Sequence, residues 1–203
     1  MTGGAVKRLI DIVLASVLLV VLWPLLAAIW SAVRLDGGPA LFRHQRIGRD
    51  GAGFDCLKFR TMRCDGDRIL ADKLASDSVA RAEWCQRRKL RDDPRVTGLG
   101  ALLRRSSLDE LPQLLNVVKG EMSLVGPRPI TEDELSLYGP VAGLYLRVRP
   151  GLTGLWQVSG RSAVGFEQRA RLDSEYILGW RLSRDLAILA RTVAVVLSRS
   201  GAH

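Results

Sequence analysis

At 203 residues the chain has room for one domain with a real core rather than for two. Its 30 Lys and Arg against 21 Asp and Glu leave a net charge of +9, so anionic partners are expected: a membrane surface, phosphorylated small molecules or nucleic acid. Three cysteines without a C-x-x-C spacing and two histidines, one of them the terminal His203, argue against a disulfide framework, a zinc site or a Ser-His-Asp triad.

The N-terminal segment comes first. From Ile12 to Val33 there are 22 residues without a charge, roughly 33 Å as a straight helix and enough to span a bilayer. The run is longer than a signal-peptide core and no small-residue cleavage site follows it, which disfavours a cleaved leader. Trp23-Pro24 falls mid-run, where proline removes one helix hydrogen bond and favours a kink. Cations flank both ends, Lys7 and Arg8 before and Arg34, Arg43, Arg46 and Arg49 after. The positive-inside bias places both flanks in the cytoplasm, and a re-entrant, broken helix satisfies both where a single crossing does not. An ordinary spanning anchor with a tolerated proline is the alternative. Asp11 lies four after Lys7 and three after Arg8, a spacing that predicts ion pairs on one helical face.

Asp36-Gly37-Gly38-Pro39 breaks the chain there, dividing an N-terminal membrane segment (1–36) from a catalytic domain (37–203). Residues 40–47 and 53–62 read as two short strands around an Arg49-Asp50-Gly51 turn, with Lys58 and Arg60 on one face. Residues 68–91 read as one charged amphipathic helix, stopped by Asp92-Asp93-Pro94. A short helix at 98–104 precedes Ser107-Leu108-Asp109-Glu110, and a further helix runs through Val118 to a Lys119-Gly120 stop. Gly126-Pro127-Arg128-Pro129 reads as a stiff loop. Residues 131–148 read as helix broken near Gly139-Pro140, and 149–161 as loop with a short strand. Helices at about 166–180 and 184–198 close the chain. The last is apolar on most faces, so lipid, the core or a second copy (a homodimer) must cover it. The expected fold is mostly α with a small β-hairpin, a re-entrant membrane helix and amphipathic interface helices around a cytosolic catalytic domain.

Three stretches place arginine beside glycine, proline or an acid pair: Arg104-Arg105, Gly126-Pro127-Arg128-Pro129, and Arg149-Pro150-Gly151 continuing to Gly160-Arg161. Guanidinium groups suit phosphate oxygens through charge-assisted, bidentate bonds, while surface solvation is the bland role of any one of them. Asp109 and Glu110 have a structural explanation as well, since Ser107-x-x-Glu110 fits a capping box and Asp109 an N-cap. A carboxylate held at a helix start is also one that can attack phosphorus or hold a divalent metal.

Lys58-Phe59-Arg60-Thr61-Met62, Ser107-Leu108-Asp109-Glu110-Leu111-Pro112-Gln113, Gly126-Pro127-Arg128-Pro129 and Arg149-Pro150-Gly151-Leu152-Thr153-Gly154 occur in that order. The sequence resembles the bacterial sugar transferases, monotopic phosphoglycosyl transferases acting on polyprenyl phosphate, from about Lys7 to the C-terminus. Gly154-Leu155-Trp156-Gln157-Val158-Ser159-Gly160-Arg161 makes it similar to the short exopolysaccharide-initiating galactose or glucose type. The resemblance implies that Asp109 attacks the β-phosphorus of a UDP-hexose, releasing UMP. Undecaprenyl phosphate then takes the sugar phosphate, with Glu110 in support and Mg²⁺ bound at Asp109. Arg104 and Arg161, then Arg128, are the implied phosphate ligands, with Lys58, Arg60, Pro127 and Pro129 as further substrate-side residues. The implied setting is the cytoplasmic face of the bacterial inner membrane, with no nucleic acid partner. Where the family commonly has Ser-Pro at the helix break, this chain has Trp23-Pro24. It also implies the short form, without the extra N-terminal membrane domain of longer relatives. Two rivals remain: a nucleotide-sugar glycosyltransferase releasing UDP, for which Asp65-Gly66-Asp67 has the D-x-D spacing, and a non-catalytic basic membrane adaptor.

Overall fold

The computed structural model describes residues 4–87, 90–159 and 165–197. Helix α1 (Gly4–Leu35) runs without interruption through Pro24, so the proline does not divide it into two helices as the sequence suggested. It is the one described helix long and apolar enough to cross a bilayer. Its middle is laid bare, with Val20 and Val21 72% and 66% exposed and Trp23 64%, a surface that only an apolar environment or partner would cover.

Both ends of α1 are nevertheless fastened to the same globular body. At its start, Lys7 Nζ donates to Asp185 at 2.7 Å, Arg8 donates to the Val117 and Val118 carbonyls at 2.6 and 2.9 Å, and Asp11 accepts from Leu124 N at 3.0 Å. At its end, Arg60 donates to the Val33 carbonyl at 2.8 Å, and Ile29 and Val33 pack with Phe59 and Leu103. The local ion pairs expected between Asp11 and Lys7 or Arg8 are not the ones made. Each of these charges reaches more than a hundred residues along the chain, where burial rewards a partner more than the exposed helix face does.

Strands β1 (Leu41–Ile47) and β2 (Gly53–Phe59) form the expected antiparallel hairpin, Leu41 opposite Phe59 and Ile47 opposite Gly53, around a 3-10 turn at Arg49–Gly51. The single helix expected over 68–91 is two, α2 (Gly66–Ser76) and α3 (Ser78–Arg87). Asp77 makes the break: its carboxylate accepts from Val79 N and Ala80 N, the start of the second helix, which is the behaviour of an N-cap. Helix α4 (Gly98–Ser106) is capped by Thr97, whose side chain accepts from Gly100 N. Helix α5 (Gln113–Lys119) stops at Gly120, φ 90°.

The core is built on α5. Leu114 and Val117 are fully buried and pack with Ala15 of α1, Phe54 and Cys56 of β2, and Tyr176 and Ile188 further on. Asn116, also fully buried, joins α5 to β2: its Oδ1 accepts from Leu57 N at 3.0 Å and its Nδ2 donates to the Asp55 carbonyl at 2.7 Å and to Glu121 at 2.6 Å. A buried amide with its donors and acceptor all engaged specifies one register.

A second, two-stranded parallel sheet pairs β3 (Ser123–Val125) with β4 (Gly151–Thr153). Gly126, Gly151 and Gly154 let these segments touch backbone to backbone; a Cβ on any of them would overlap main-chain atoms of another segment. Between the strands lie α6 (Glu132–Ser136), a 3-10 turn at Gly139–Val141 and α7 (Ala142–Tyr145), which matches the helix broken near Gly139-Pro140. Helices α8 (Phe166–Leu178) and α9 (Leu182–Leu197) follow. Helix α9 buries Ile188 in the core, while Leu186 and Val193 stay exposed. The fold is mostly helical with two small sheets and one long apolar N-terminal helix.

Candidate active site

Asp109 and Glu110 sit on a 3-10 turn, Leu108–Glu110, between α4 and α5. The expected capping box is not formed. Ser107 adopts a left-handed conformation, φ 56°, and its side chain makes no cap; its N–H instead closes α4 on the Arg104 and Leu103 carbonyls. A left-handed serine is strained relative to glycine, and here the sharp turn puts both acids side by side at the edge of β2.

The two carboxylates then have different surroundings. Glu110 Oε1 lies 2.5 Å from Lys58 Nζ, both side chains partly exposed. Asp109 is 9% exposed and no ion pair reaches it among the described residues. Burial first, then the charge of Glu110, pushes its carboxyl up to about 6, against the pull of Lys58 and Arg104. At neutral pH this group is ionised yet poorly hydrated, a combination typical of functional carboxylates. Arg104 also acts on this carboxylate, and its Nε donates to Thr61 Oγ1 at 2.8 Å. Burial lowers that guanidinium's pKa and Asp109 opposes the shift, which places the two charges within mutual reach.

Further positive charge gathers near Lys58. Burial, then Arg46 and Lys58, hold His44 below its ordinary value, with Arg128 contributing. Arg46 is paired with Glu134 at 2.8 Å. Arg128 lies 5.6 Å above the Trp156 ring, and Arg169 lies 4.4 Å from the same ring, stacking distances for a guanidinium on an indole. Trp156 Nε1, Gln157 Oε1 and Arg169 Nε are buried without a hydrogen-bond partner among the described residues.

Of the residues expected at the site, the structure gathers Asp109, Glu110, Lys58 and Arg104 around one turn and sets Arg128 further along the cationic belt. Pro127 and Pro129 are buried on either side of half-buried Arg128, so they direct the arginine rather than line a surface. Arg60 is used differently. Its Nε, Nη1 and Nη2 donate to the carbonyls of Pro39, Met62 and Val33 at 2.8, 3.2 and 2.8 Å; sharing a face with Lys58 did not give it the same task. Arg161 lies outside the described residues. Trp23 and Pro24 lie within the exposed stretch of α1. Thr61, His44, Arg46, Trp156 and Arg169 were not singled out as site residues; Thr61 and Trp156 stand inside the quoted motifs, while Arg169 is one arginine among many on α8 and carries no local signal.

Other chemistries fit less well. Burial raises the Cys56 thiol, the opposite of what a cysteine nucleophile needs. Asp65 of the D-x-D sequence is held at about 2 by hydrogen bonds from Arg63 and Arg68, a solvated surface cluster. No group of three or more His, Cys, Asp or Glu converges among the described residues.

Comparison with known proteins gives a family and several similar relatives. The family described as bacterial sugar transferase matches residues 2–199. The chain is 52% identical over 199 residues to the exopolysaccharide production protein ExoY of Sinorhizobium fredii, covering 97% of this chain and 88% of that one. It is 51% identical over 197 residues to an undecaprenyl-phosphate galactose phosphotransferase of Salmonella typhimurium, covering 97% of this chain and 41% of that protein. It is 43% identical over 206 residues to a UDP-glucose:undecaprenyl-phosphate glucose-1-phosphate transferase of Caulobacter vibrioides, covering 97% and 72%. The chain thus spans less than half of some curated relatives it matches and most of others.

Proposed function

The chain belongs to the bacterial sugar transferase family, and from that premise we propose that it is an enzyme transferring hexose-1-phosphate, galactose or glucose, from a UDP-sugar to undecaprenyl phosphate. The observation that carries the reading is the buried Asp109 carboxylate, raised to about 6 and within reach of the charges of Glu110, Lys58 and Arg104.

In the first step an Asp109 oxygen forms a bond to the sugar-bearing phosphorus of the donor. The bridging P–O bond of the diphosphate breaks, and UMP leaves with the electron pair. In the second step a phosphate oxygen of undecaprenyl phosphate attacks the same phosphorus, the acyl–phosphate bond breaks, and Asp109 is restored as a carboxylate. Asp109 is suited to both steps because burial strips it of the hydration that would blunt attack, while Lys58 and Arg104 keep it ionised. Lys58 holds Glu110 beside it, and the belt through Arg128 and Arg169 offers guanidinium groups for the donor's phosphates. Mg²⁺, held at Asp109 with Glu110 adjacent, would supply neutralisation of the phosphate charges that the transfer brings together. Family relatives named for galactose and for glucose transfer support the substrate class, and the exopolysaccharide relative supports a role in starting glycan assembly.

The re-entrant placement of α1 belongs to the same proposal. Its two ends are bound to one body while its middle exposes apolar side chains, which supports a helix that enters one leaflet and returns to the cytoplasmic face by bending, unbroken, at Pro24. A lipid acceptor and a water-soluble donor then meet at the bilayer surface.

The deciding assay supplies purified protein with undecaprenyl phosphate and either UDP-galactose or UDP-glucose. UMP should appear with one of them; UDP as the nucleotide product would overturn the reaction. Asp109→Asn should abolish both turnover and a trapped sugar-phosphate adduct. For α1, cysteines placed at positions 5 and 36, in a background with the exposed Cys64 and Cys85 changed to serine, should both label from the cytoplasm. Labelling from opposite sides would restore a spanning helix.

A further inference from the structure

A cavity of about 260 Å³ opens at the start of α1 and is lined by Lys7, Arg8, Arg49, Arg147 and Arg149 with one carboxylate, Asp11. These cations come from α1, the β1–β2 turn and the approach to β4, so the fold gathers them from three parts of the chain. Three have structural tasks, and the first is Lys7, which is held by Asp185 at 2.7 Å. Arg8 binds the Val117 and Val118 carbonyls, and Arg149 Nε donates to the Gly120 carbonyl at 2.7 Å, together closing the C-terminal end of α5. Arg147 is exposed, and among the described residues its guanidinium meets no protein acceptor; Arg49 pairs only with its neighbour Asp50. Packing like charges together this way opposes folding unless something answers them. Their crowding is felt at Arg149, whose pKa is lowered by burial and then by Arg8 and Arg49.

We propose that this cavity binds the phosphate of an anionic lipid headgroup, a site separate from the reaction centre. The neighbouring surface argues for a lipid rather than a soluble anion: Val6 and Leu9, on the first turns of α1, are 63% and 62% exposed. Neither side chain lines the cavity, but cations gathered at the start of an apolar, lipid-facing helix form the pairing that a headgroup and its acyl chain present. The site is distinct because it lies at the far end of α5 from Asp109, about 10 Å along the helix axis. Bound there, an anionic lipid would neutralise the cluster and fix the depth at which α1 enters the bilayer. The inference rests on α1 lying in a membrane, which the labelling of positions 5 and 36 tests on its own.

The test titrates delipidated full-length protein in neutral detergent with dihexanoyl phosphatidylglycerol, farnesyl phosphate or inorganic phosphate, following binding by calorimetry. Arg49→Gln/Arg147→Gln removes the two exposed cations, which bind no distant part of the chain among the described residues, and its unliganded melting curve should match the parent's. At least one lipid phosphate should bind saturably, with inorganic phosphate much weaker, and the double variant should bind that lipid about tenfold more weakly or worse. Preference for phosphatidylglycerol assigns a bulk phospholipid, and preference for farnesyl phosphate a second seat for the polyprenyl acceptor. Equal affinity for inorganic phosphate, unchanged lipid affinity in the variant, or no binding by any of the three overturns the proposal.

Discussion

Lys58 Nζ lies 2.5 Å from Glu110 Oε1, and this pair stands directly beside a second carboxylate, Asp109, that no ion pair reaches among the described residues. The arrangement gives the two members of the pair opposite effects on Asp109: Glu110 raises its pKa and Lys58 lowers it. Removing either should therefore move the acid limb of the rate profile in a defined direction. Lys58→Met should shift that limb to higher pH and Glu110→Gln to lower pH, each with turnover down about 100-fold. UMP release measured between pH 5 and 9 checks this. Shifts of the same sign would show that the electrostatic coupling is not what the two residues contribute.

Asp109 itself opposes folding while serving the reaction. Its folded-state pKa, about 6, lies above the ordinary 3.8, so the folded protein holds this proton more tightly than the unfolded chain does. The stability tied to that proton is intact below the ordinary value and lost as pH rises through about 6. Above that pH the ionised form costs about 3 kcal/mol. Asp109→Asn should then be inactive yet melt at a higher temperature than the parent at pH 7.5 in magnesium-free detergent, the usual opposition of stability and activity at a site. An inactive variant that melts lower would mean that Asp109 has an unrecognised structural partner.

Much of this architecture follows from short-range patterns. The apolar run of α1, the hairpin around Arg49-Asp50-Gly51 and the Lys119-Gly120 stop are set by neighbours within a few residues, and each stands where the sequence places it. Asp109, Glu110 and Lys58 stand inside the ordered motifs, and Arg104 just ahead of the second. What the sequence does not convey is which of several partners a charge takes. Asp11 has two cations within a helical turn but accepts from Leu124 N, 113 residues away. Ser107 has the spacing of a capping box, yet the carbonyls ending α4 claim its N–H. Asp77 was legible in principle, since Ser-Asp-Ser between two helical stretches is an N-cap signal; the apolar period on either side concealed it.

Arg60 separates a structural cation from a catalytic one. Its guanidinium donates to three main-chain carbonyls, those of Pro39, Met62 and Val33, and lysine lacks the planar fork to replace that set. Arg60→Lys should lower the melting temperature markedly, losing about 2 kcal/mol, with turnover falling because β2 and the end of α1 separate. Arg104→Lys should melt close to the parent and lose turnover alone. An Arg60 variant of parental stability and lost activity would return this residue to the substrate side.

Asp173 offers a pH test away from the reaction centre. It is 1% exposed, accepts a hydrogen bond from the Tyr138 hydroxyl at 2.9 Å, and its other oxygen has no hydrogen-bond partner among the described residues. Burial pushes its carboxyl up to about 7, against the Tyr138 bond and the charges of Arg169 and Arg128. The folded state thus retains a proton that the unfolded chain gives up near pH 4. Stability must fall as pH rises from that value through about 7 and level off above it. Asp173→Asn keeps an acceptor for Tyr138 and cannot ionise, so it should remove this descending slope and melt higher than the parent at pH 8. Melting temperatures taken from pH 5 to 8 in the Asp109→Asn background isolate the effect, because that background lacks the other raised carboxyl. A slope that survives Asp173→Asn there would show that Arg169 and Arg128 already hold the aspartate ionised across the range.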